Sequence, residues 1–319
     1  MREIIVTANE AGQRFDKLLA KYLNEAPKSF IYKMLRKKNI VLNGKKATGN
    51  EQLAVGDSVK LFLADETIDK FSKNVVSYTE ETLDILYEDE HVVFVNKPVG
   101  MLSQKANPDD VSLVEHLISY LLKSKQLTEM QLQSFRPSIC NRLDRNTSGL
   151  VVAGKSLAGL QQMGALFHDR GMKKYYRCLV NGRVDEAQYI KGFLSKNKAT
   201  NKVTVTKQET KDSQPIETEY TPLWSNGKYT LLEVHLITGR THQIRAHLAS
   251  ISHAIVGDYK YGIRAVNDKF KATYGLESQF LHAYRIELPV LEGALSAISK
   301  KQFVAPLPKQ FEQILEGER

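Results

Sequence analysis

Residues 141–155 read NRLDRNTSGLVVAGK, and no other stretch limits the possible folds of this chain as strongly. One carboxylate, Asp144, stands between Arg142 and Arg145. A Thr147-Ser148-Gly149 turn follows, and then an apolar run. Opposite charge favours the ionised form of a carboxylate. Such a group can act as nucleophile, base or ligand, or it can be a structural ion pair or a cap. Glycine at 149 permits backbone angles closed to other residues, and GLVVAG has the length and branching of a short buried strand. The expectation is a tight turn that presents Asp144 from the end of a rigid strand, a setting where reactive groups recur.

The strand sits within a longer region of similar texture. From residue 83, LDILYEDEHVVFVNKP reads as two strands around an acidic turn, and SLVEHLISYLLKS as an amphipathic helix. SLAGLQQMGALFHD reads as a helix capped by Ser156. KKYYRCLVNGRV, NKVTVTKQET, IETEYTPLWS and KYTLLEVHLI alternate like strands, and THQIRAHLAS is a short helix. Strands dominate, with helices between them, so the expected class is α+β with a mixed, mostly antiparallel sheet over residues 83–319. Residues 66–82 are polar and weakly periodic and are read as a linker.

Residues 1–65 form a separate small α+β unit in this reading. Phe15, Leu18, Leu19, Tyr22 and Leu23 keep helical spacing, and Phe30, Ile31, Met34 and Leu35 line one side of a second helix. The other side carries Lys33, Arg36, Lys37 and Lys38; a strand IVLNG, a basic turn with Lys45 and Lys46, and a closing strand DSVKLFL follow. Such a face suits a phosphate backbone, although a solvated basic helix face has the same pattern. The whole chain carries 45 Lys and Arg against 36 Asp and Glu, a net +9, which points modestly to a polyanionic partner. Cys140 and Cys178 form no spacing motif and are expected as two small core residues in a reducing compartment. No window approaches the ~18 apolar residues of a membrane span, and no signal-peptide core opens the chain. The expected location is the cytoplasm.

RLDRNTSGL resembles the central motif of the RluA-type pseudouridine synthases. NKPVGMLSQ (96–104) resembles the lead-in to that motif, KKYYRCLVNG (173–182) the second motif, and ITGRTHQIRAHLASISHAIVGDYKYG (237–262) the third, in the same order. RFDKLLAKYL…SFIYKMLRKKNIVLNGKK is similar to the αL RNA-binding module shared by a ribosomal protein and several RNA-modifying enzymes. The resemblance implies an RNA-modifying isomerase that breaks the bond from ribose C1′ to N1 of a uridine, turns the uracil, and joins C1′ to C5. It implies no cofactor. It makes Asp144 the catalytic aspartate, Tyr176 the active-site tyrosine, and Arg245 the arginine paired with Asp144. On a strand, neighbouring Tyr175 would face the other way. Arg142 is placed next to the RNA or in the gap left by a flipped uridine, since chemistry on a stacked base requires its extrusion. Arg145 and Arg240 are expected as RNA contacts, with Lys33, Arg36, Lys37 and Lys45 on the small module. Leu236, Ile237 and Leu281 either wall the uracil pocket or are plain core. The sequence departs from the family at Arg177 and Cys178, where smaller or apolar residues are usual, and NKPVGMLSQKANPDD lacks the His-Pro continuation of one branch of the family, which bears on which RNA is modified.

No metal is expected. His235, His242, His247 and His253 cluster in sequence, but His242 and His247 are five apart, not on one helix face, and no further ligands complete a set. Phosphate-loop and dinucleotide motifs are absent. The partner expected from the resemblance is large-subunit ribosomal RNA or an assembly intermediate, bound by a monomer. Transfer RNA, a non-catalytic ribosome-assembly factor, and a uracil-removing hydrolase are the alternatives.

Overall fold

The computed structural model describes residues 1–72, 78–80, 82–197, 200 and 202–319. Residues 73–77 and 81 of the expected linker, and 198, 199 and 201 next to the NKVTVT strand, lie outside that description.

The N-terminal unit is built from β1 (Arg2–Ile5), α1 (Phe15–Tyr22), α2 (Lys28–Arg36), β2 (Ile40–Leu42), β3 (Lys45–Lys46), β4 (Ser58–Leu61) and α3 (Asp65–Phe71). Its strands pair in the order β1-β4-β2-β3, all antiparallel. Phe15, Leu18, Leu19, Leu23, Ile31, Leu35 and Val59 form its core. Two local differences from the sequence reading have simple causes. Lys45 and Lys46 lie on a strand rather than in the turn, because Asn43 and Gly44 take the positive φ angles that close the hairpin. The start of the expected linker is helix α3, because Ile68 is fully buried in the small core and Phe71 packs on Phe30 with ring centroids 4.7 Å apart.

The larger unit contains β5 (Ile85–Glu88), β6 (Val92–Lys97), α4 (Leu113–Lys123), α5 (Glu129–Leu132), β7 (Ser138–Ile139), β8 (Ser148–Gly154), α6 (Leu157–His168), β9 (Lys173–Asn181), β10 (Gln188–Asn197), β11 (Lys202–Thr206), β12 (Gln214–Ser225), β13 (Tyr229–Leu236), α7 (Gln243–Ser250), α8 (Arg264–Tyr274), β14 (Leu281–Glu287), β15 (Gln302–Val304) and α9 (Lys309–Glu318). Its sheet runs β11-β10-β12-β13-β9-β14-β8-β6-β5. The pairs are antiparallel except β8 with β14, which is parallel. This is the expected α+β architecture with mostly antiparallel pairing.

The run behind the Asp144 turn becomes β8, and every residue of it is buried. Gly149 has φ +108°, and a Cβ there would stand 2.2 Å from the Ala283 carbonyl oxygen, so only glycine lets β8 and β14 meet at this point. Strand β14 was not read from the sequence, yet it bridges the motif strands β8 and β9. On β9 the expected alternation holds: Tyr176 is buried, while Tyr175 stacks on His235 on the opposite face with centroids 4.9 Å apart. Cys178 is buried and Cys140 partly so, both as free thiols. The two units touch where Ser134 donates to buried Glu10 at 2.7 Å and Leu157 N–H donates to Asn9 at 3.1 Å.

Candidate active site

Asp144 is held from behind by the segment that precedes β8. Ser103 Oγ donates to the Leu143 carbonyl (2.8 Å) and accepts from the Leu143 N–H (3.0 Å). Gly100 N–H donates to the Arg145 carbonyl (2.9 Å), and Arg145 Nε returns a bond to the Gly100 carbonyl (3.0 Å). Fully buried Lys97 donates to the carbonyls of Pro98, Met101 and Arg145 at 2.8, 2.9 and 3.2 Å. Burial pushes the Lys97 ammonium down to about 7, against the opposing pull of the Asp144 charge. The NKPVGMLSQ stretch is therefore the clamp of the Asp144 loop, with Lys97 as its pin.

Asp144 stands at the floor of a cleft of about 1210 Å³. Arg245, brought by α7, donates from Nη1 to Asp144 Oδ2 at 2.9 Å. The other edge of the same guanidinium makes a two-point contact with a second carboxylate: Nε to Asp258 Oδ2 at 2.7 Å and Nη2 to Asp258 Oδ1 at 2.9 Å. Asp258 is fully buried, and its Oδ1 also accepts from the N–H groups of Lys260 and Tyr261. Burial acts to lower the Arg245 value, but the bonds and charge of Asp258, and then of Asp144, outweigh it and hold the guanidinium above its ordinary range. Asp144 keeps 26% side-chain exposure, and its Oδ1 has no partner among the described residues.

His242 completes this wall. It takes φ +53°, a left-handed angle uncommon outside glycine, at the residue that begins α7. Its Nδ1 lies 2.9 Å from the Tyr261 hydroxyl, which also accepts from Val203 N–H at 2.9 Å. That hydroxyl can give its own proton to Nδ1, which leaves the ring proton on Nε2, 3.8 Å from Asp144 Oδ2. Burial, countered by the Asp144 charge, pushes His242 below its ordinary value, so the ring is neutral near pH 7. Tyr176 reaches the cleft from β9; burial and then the Asp144 charge raise its hydroxyl well above the ordinary tyrosine range. It is thus a neutral phenol beside the carboxylate.

The structure gathers Asp144, Tyr176, Arg245, Arg142, Arg145 and Arg240 around one cleft. Lys33, Arg36, Lys37 and Lys45 are exposed on the N-terminal unit, outside the cleft lining. One expectation is corrected. Arg142 and Arg145 are exposed and form no ion pair with Asp144 among the described residues; the charge that holds Asp144 comes from Arg245. Neighbours in a turn point outward in different directions, whereas α7 aims Arg245 inward. The expected pairing of Arg245 with Asp144 is present as a single bond, and the two-point contact of the same guanidinium goes to Asp258. Leu236 and Leu281 line the cleft, while Ile244 rather than Ile237 joins them. The sequence reading missed Lys97, His242, Asp258 and Tyr261 as site residues. The only sequence signal for Asp258 is its place in GDYKYG at the end of the third motif. Among the described residues no group of three or more His, Cys, Asp or Glu side chains could hold a metal ion.

A family model described as RNA pseudouridylate synthase matches residues 91–250. The chain belongs to this family. It is therefore an isomerase that converts uridine to pseudouridine in RNA. It is 30% identical over 320 residues to the ribosomal large subunit pseudouridine synthase C of Vibrio cholerae, covering 98% of this chain and 95% of that one. The enzyme of the same name from Escherichia coli is also 30% identical over 320 residues, with 93% and 95% covered. Among solved structures, the human RNA pseudouridylate synthase domain containing 4 shares the fold, with a TM-score of 0.59 and 23% identity over 73% of this chain and 91% of that one. The matched region of this synthase includes Asp144, Tyr176 and Arg245; Asp258, which fixes Arg245, lies just beyond it.

Proposed function

We propose that this synthase isomerises uridine in large-subunit ribosomal RNA, with Asp144 as the reacting carboxylate and no cofactor. The observation that carries the proposal is the unshared oxygen Oδ1 of Asp144, turned to a cleft while Oδ2 is held by Arg245. A carboxylate kept ionised by a fixed guanidinium can attack the sugar or remove a proton from it. The C1′–N1 bond breaks and C1′ joins C5. N1 gains a proton and C5 loses one, so the mass is unchanged. In this reading the neutral Tyr176 ring packs against the uracil and its hydroxyl can relay a proton. Arg142, Arg145 and Arg240 contact RNA at the rim. Arg142 is exposed beside Asp144, where it can occupy the gap left by an extruded uridine.

The ribosomal substrate is supported by the two bacterial relatives, whose names give that substrate and whose lengths match nearly end to end. Residues 1–65 are proposed as an RNA-binding unit, through the exposed Lys33, Arg36, Lys37 and Lys45. We place the enzyme in the cytoplasm as a monomer; among the described residues no helix is long and apolar enough to cross a membrane.

The test is pseudouridine mapping on total RNA from cells lacking the gene, complemented with wild type or Asp144→Asn. Sites in large-subunit RNA should vanish on deletion and return with wild type alone. Sites confined to transfer RNA would replace the substrate, and return with Asp144→Asn would remove Asp144 from the chemistry.

A further inference from the structure

Lys174 lies on β9 two residues before Tyr176, so both side chains leave the same face of the strand, about 7 Å apart along it. It is only 9% exposed and lines the cleft. A Cβ placed on Gly239 would stand 3.9 Å from Nζ, which locates the ammonium against the loop that carries Arg240 and His242. No hydrogen-bond acceptor or carboxylate partners it among the described residues. Its Nζ is not among the fully sealed side-chain atoms that lack a partner, so the ammonium keeps an opening to the cleft while its stem is buried; charges this far inside folded proteins are normally paired. The contrast with Lys97 is direct. Both lysines belong to the walls around the cleft, but Lys97 spends its protons on three carbonyls, whereas Lys174 makes no hydrogen bond among the described residues and lines the cleft.

A second cation adjoins it. Arg170 also lines the cleft and is exposed. It follows the C-terminal cap of α6 with φ +57°, the left-handed position that glycine usually fills, although Gly171 is the very next residue. Burial, and then the charge of Arg170, lower the Lys174 value. The two cations therefore repel, and among the described residues no carboxylate forms an ion pair with either. A neutral acceptor such as a uracil carbonyl would satisfy hydrogen bonds but leave the charge. An anion satisfies both.

We propose that Lys174 and Arg170 form a phosphate subsite in the cleft wall, which takes the backbone phosphate adjoining the uridine that Tyr176 and Asp144 receive. This rests on the reading of the cleft as the RNA site. The strand spacing sets the geometry: the nucleoside occupies the Tyr176 position, and its phosphate lies one pleat repeat along β9 at Lys174. The subsite fixes the register of the strand, so it acts on binding rather than on the bond-making step.

The experiment uses the full-length enzyme and an RNA fragment containing a uridine identified by the mapping above. Lys174→Met keeps the stem and removes the charge. It should raise KM ten- to hundredfold, the size of a lost hydrogen bond to a charged group, with kcat within twofold. The slope of log affinity against log salt should fall by about one. Without RNA, Lys174→Met should melt no lower than wild type, since the fold gives the ammonium no partner to lose, and Lys174→Arg should restore most of the affinity. Fragments with a single uncharged methylphosphonate linkage locate the contact. One linkage beside the uridine should weaken wild type by the same factor, and should do nothing further to Lys174→Met. Arg170→Ser, at an exposed site that leaves folding intact, should give a smaller KM rise of the same kind. An unchanged KM and salt slope in both variants would overturn the subsite. So would a methylphosphonate penalty at the same linkage that persists undiminished in Lys174→Met. If Lys174→Met does not fold, wild type with the methylphosphonate series and Arg170→Ser decide: equal sensitivity at all linkages refutes the proposal. Loss of activity in Asp144→Asn alongside any of these failures leaves the active-site reading standing and removes only the subsite.

Discussion

Asp144 and Asp258 share one guanidinium, yet their surroundings make them different instruments. Asp258 is fully buried and takes two bonds from Arg245 and two from backbone N–H groups. Its acceptor positions are largely used, so it has no capacity left for a substrate. Asp144 takes one bond from the same arginine and keeps an oxygen facing the cleft. The buried carboxylate fixes the arginine, and the arginine fixes and charges the exposed one. A reactive group therefore needs only partial satisfaction, provided that its partner is fully satisfied elsewhere.

The division can be broken at each carboxylate in turn. Asp144→Asn should lower kcat by ~10³-fold or more, the scale of removing a reacting base or nucleophile. Melting temperature and RNA affinity should stay near wild type, as measured by single-turnover assay, calorimetry and filter binding. Asp258→Asn should do the reverse in emphasis. It takes the buried counter-charge from a guanidinium that keeps only Asp144, a change that costs up to roughly 3–5 kcal/mol of stability, while kcat falls by the ~10–100-fold typical of losing an orienting partner. Equal stability losses in the two variants would erase the distinction drawn here.

Acid offers a milder probe that leaves both carboxylates in place. Burial pushes His247 and His282 down to about 4, and both rings are buried as neutral acceptor–donor groups bonded to Thr218 in one case and to Ser148 and the Ala305 carbonyl in the other. The unfolded chain protonates them near 6.5, so between about 6.5 and 4 the unfolded state binds more protons. Stability is then lost as pH falls through that window, of the order of 3 kcal/mol per histidine at most. Denaturant melts at pH 7 and 5 should show the decline, and His247→Gln should lessen it. The smallest effect belongs to Tyr175→Phe. On the far face of β9, it should change kcat less than about twofold, whereas Tyr176→Phe should lower it clearly more; a larger loss at 175 would mean that the wrong ring had been assigned to the cleft.

Much of this was legible because it is local. A Thr-Ser-Gly step before an apolar run specifies a strand and what stands at its end, although the turn itself closes one step earlier, from Asp144 to Thr147, and Ser148 and Gly149 already belong to β8. The alternation of KKYYRCLV places two tyrosines on opposite faces whatever the strand pairs with. The basic face of α2 follows from helical spacing alone. Arg145 shows the limit: it adjoins Asp144 in sequence, yet its guanidinium goes to the Gly100 carbonyl. Strand β14 escaped reading because LHAYRIE mixes polar and apolar residues, and only its position between β8 and β9 buries it.

The sequence by itself determined the carboxylate that stands before β8, the buried strand behind it and the face of β9 that meets it, since each depends on residues within a few positions of one another. The tertiary structure alone decided which charge holds Asp144, for Arg245 lies 101 residues away and is aimed by an aspartate still further along the chain. It likewise decided that Lys97 is spent on carbonyls and Lys174 is not. Two lysines look alike in a sequence. What distinguishes them is the set of acceptors within reach once burial has removed the water, and that set is assembled by the long-range pairing of β6, β8, β14 and β9.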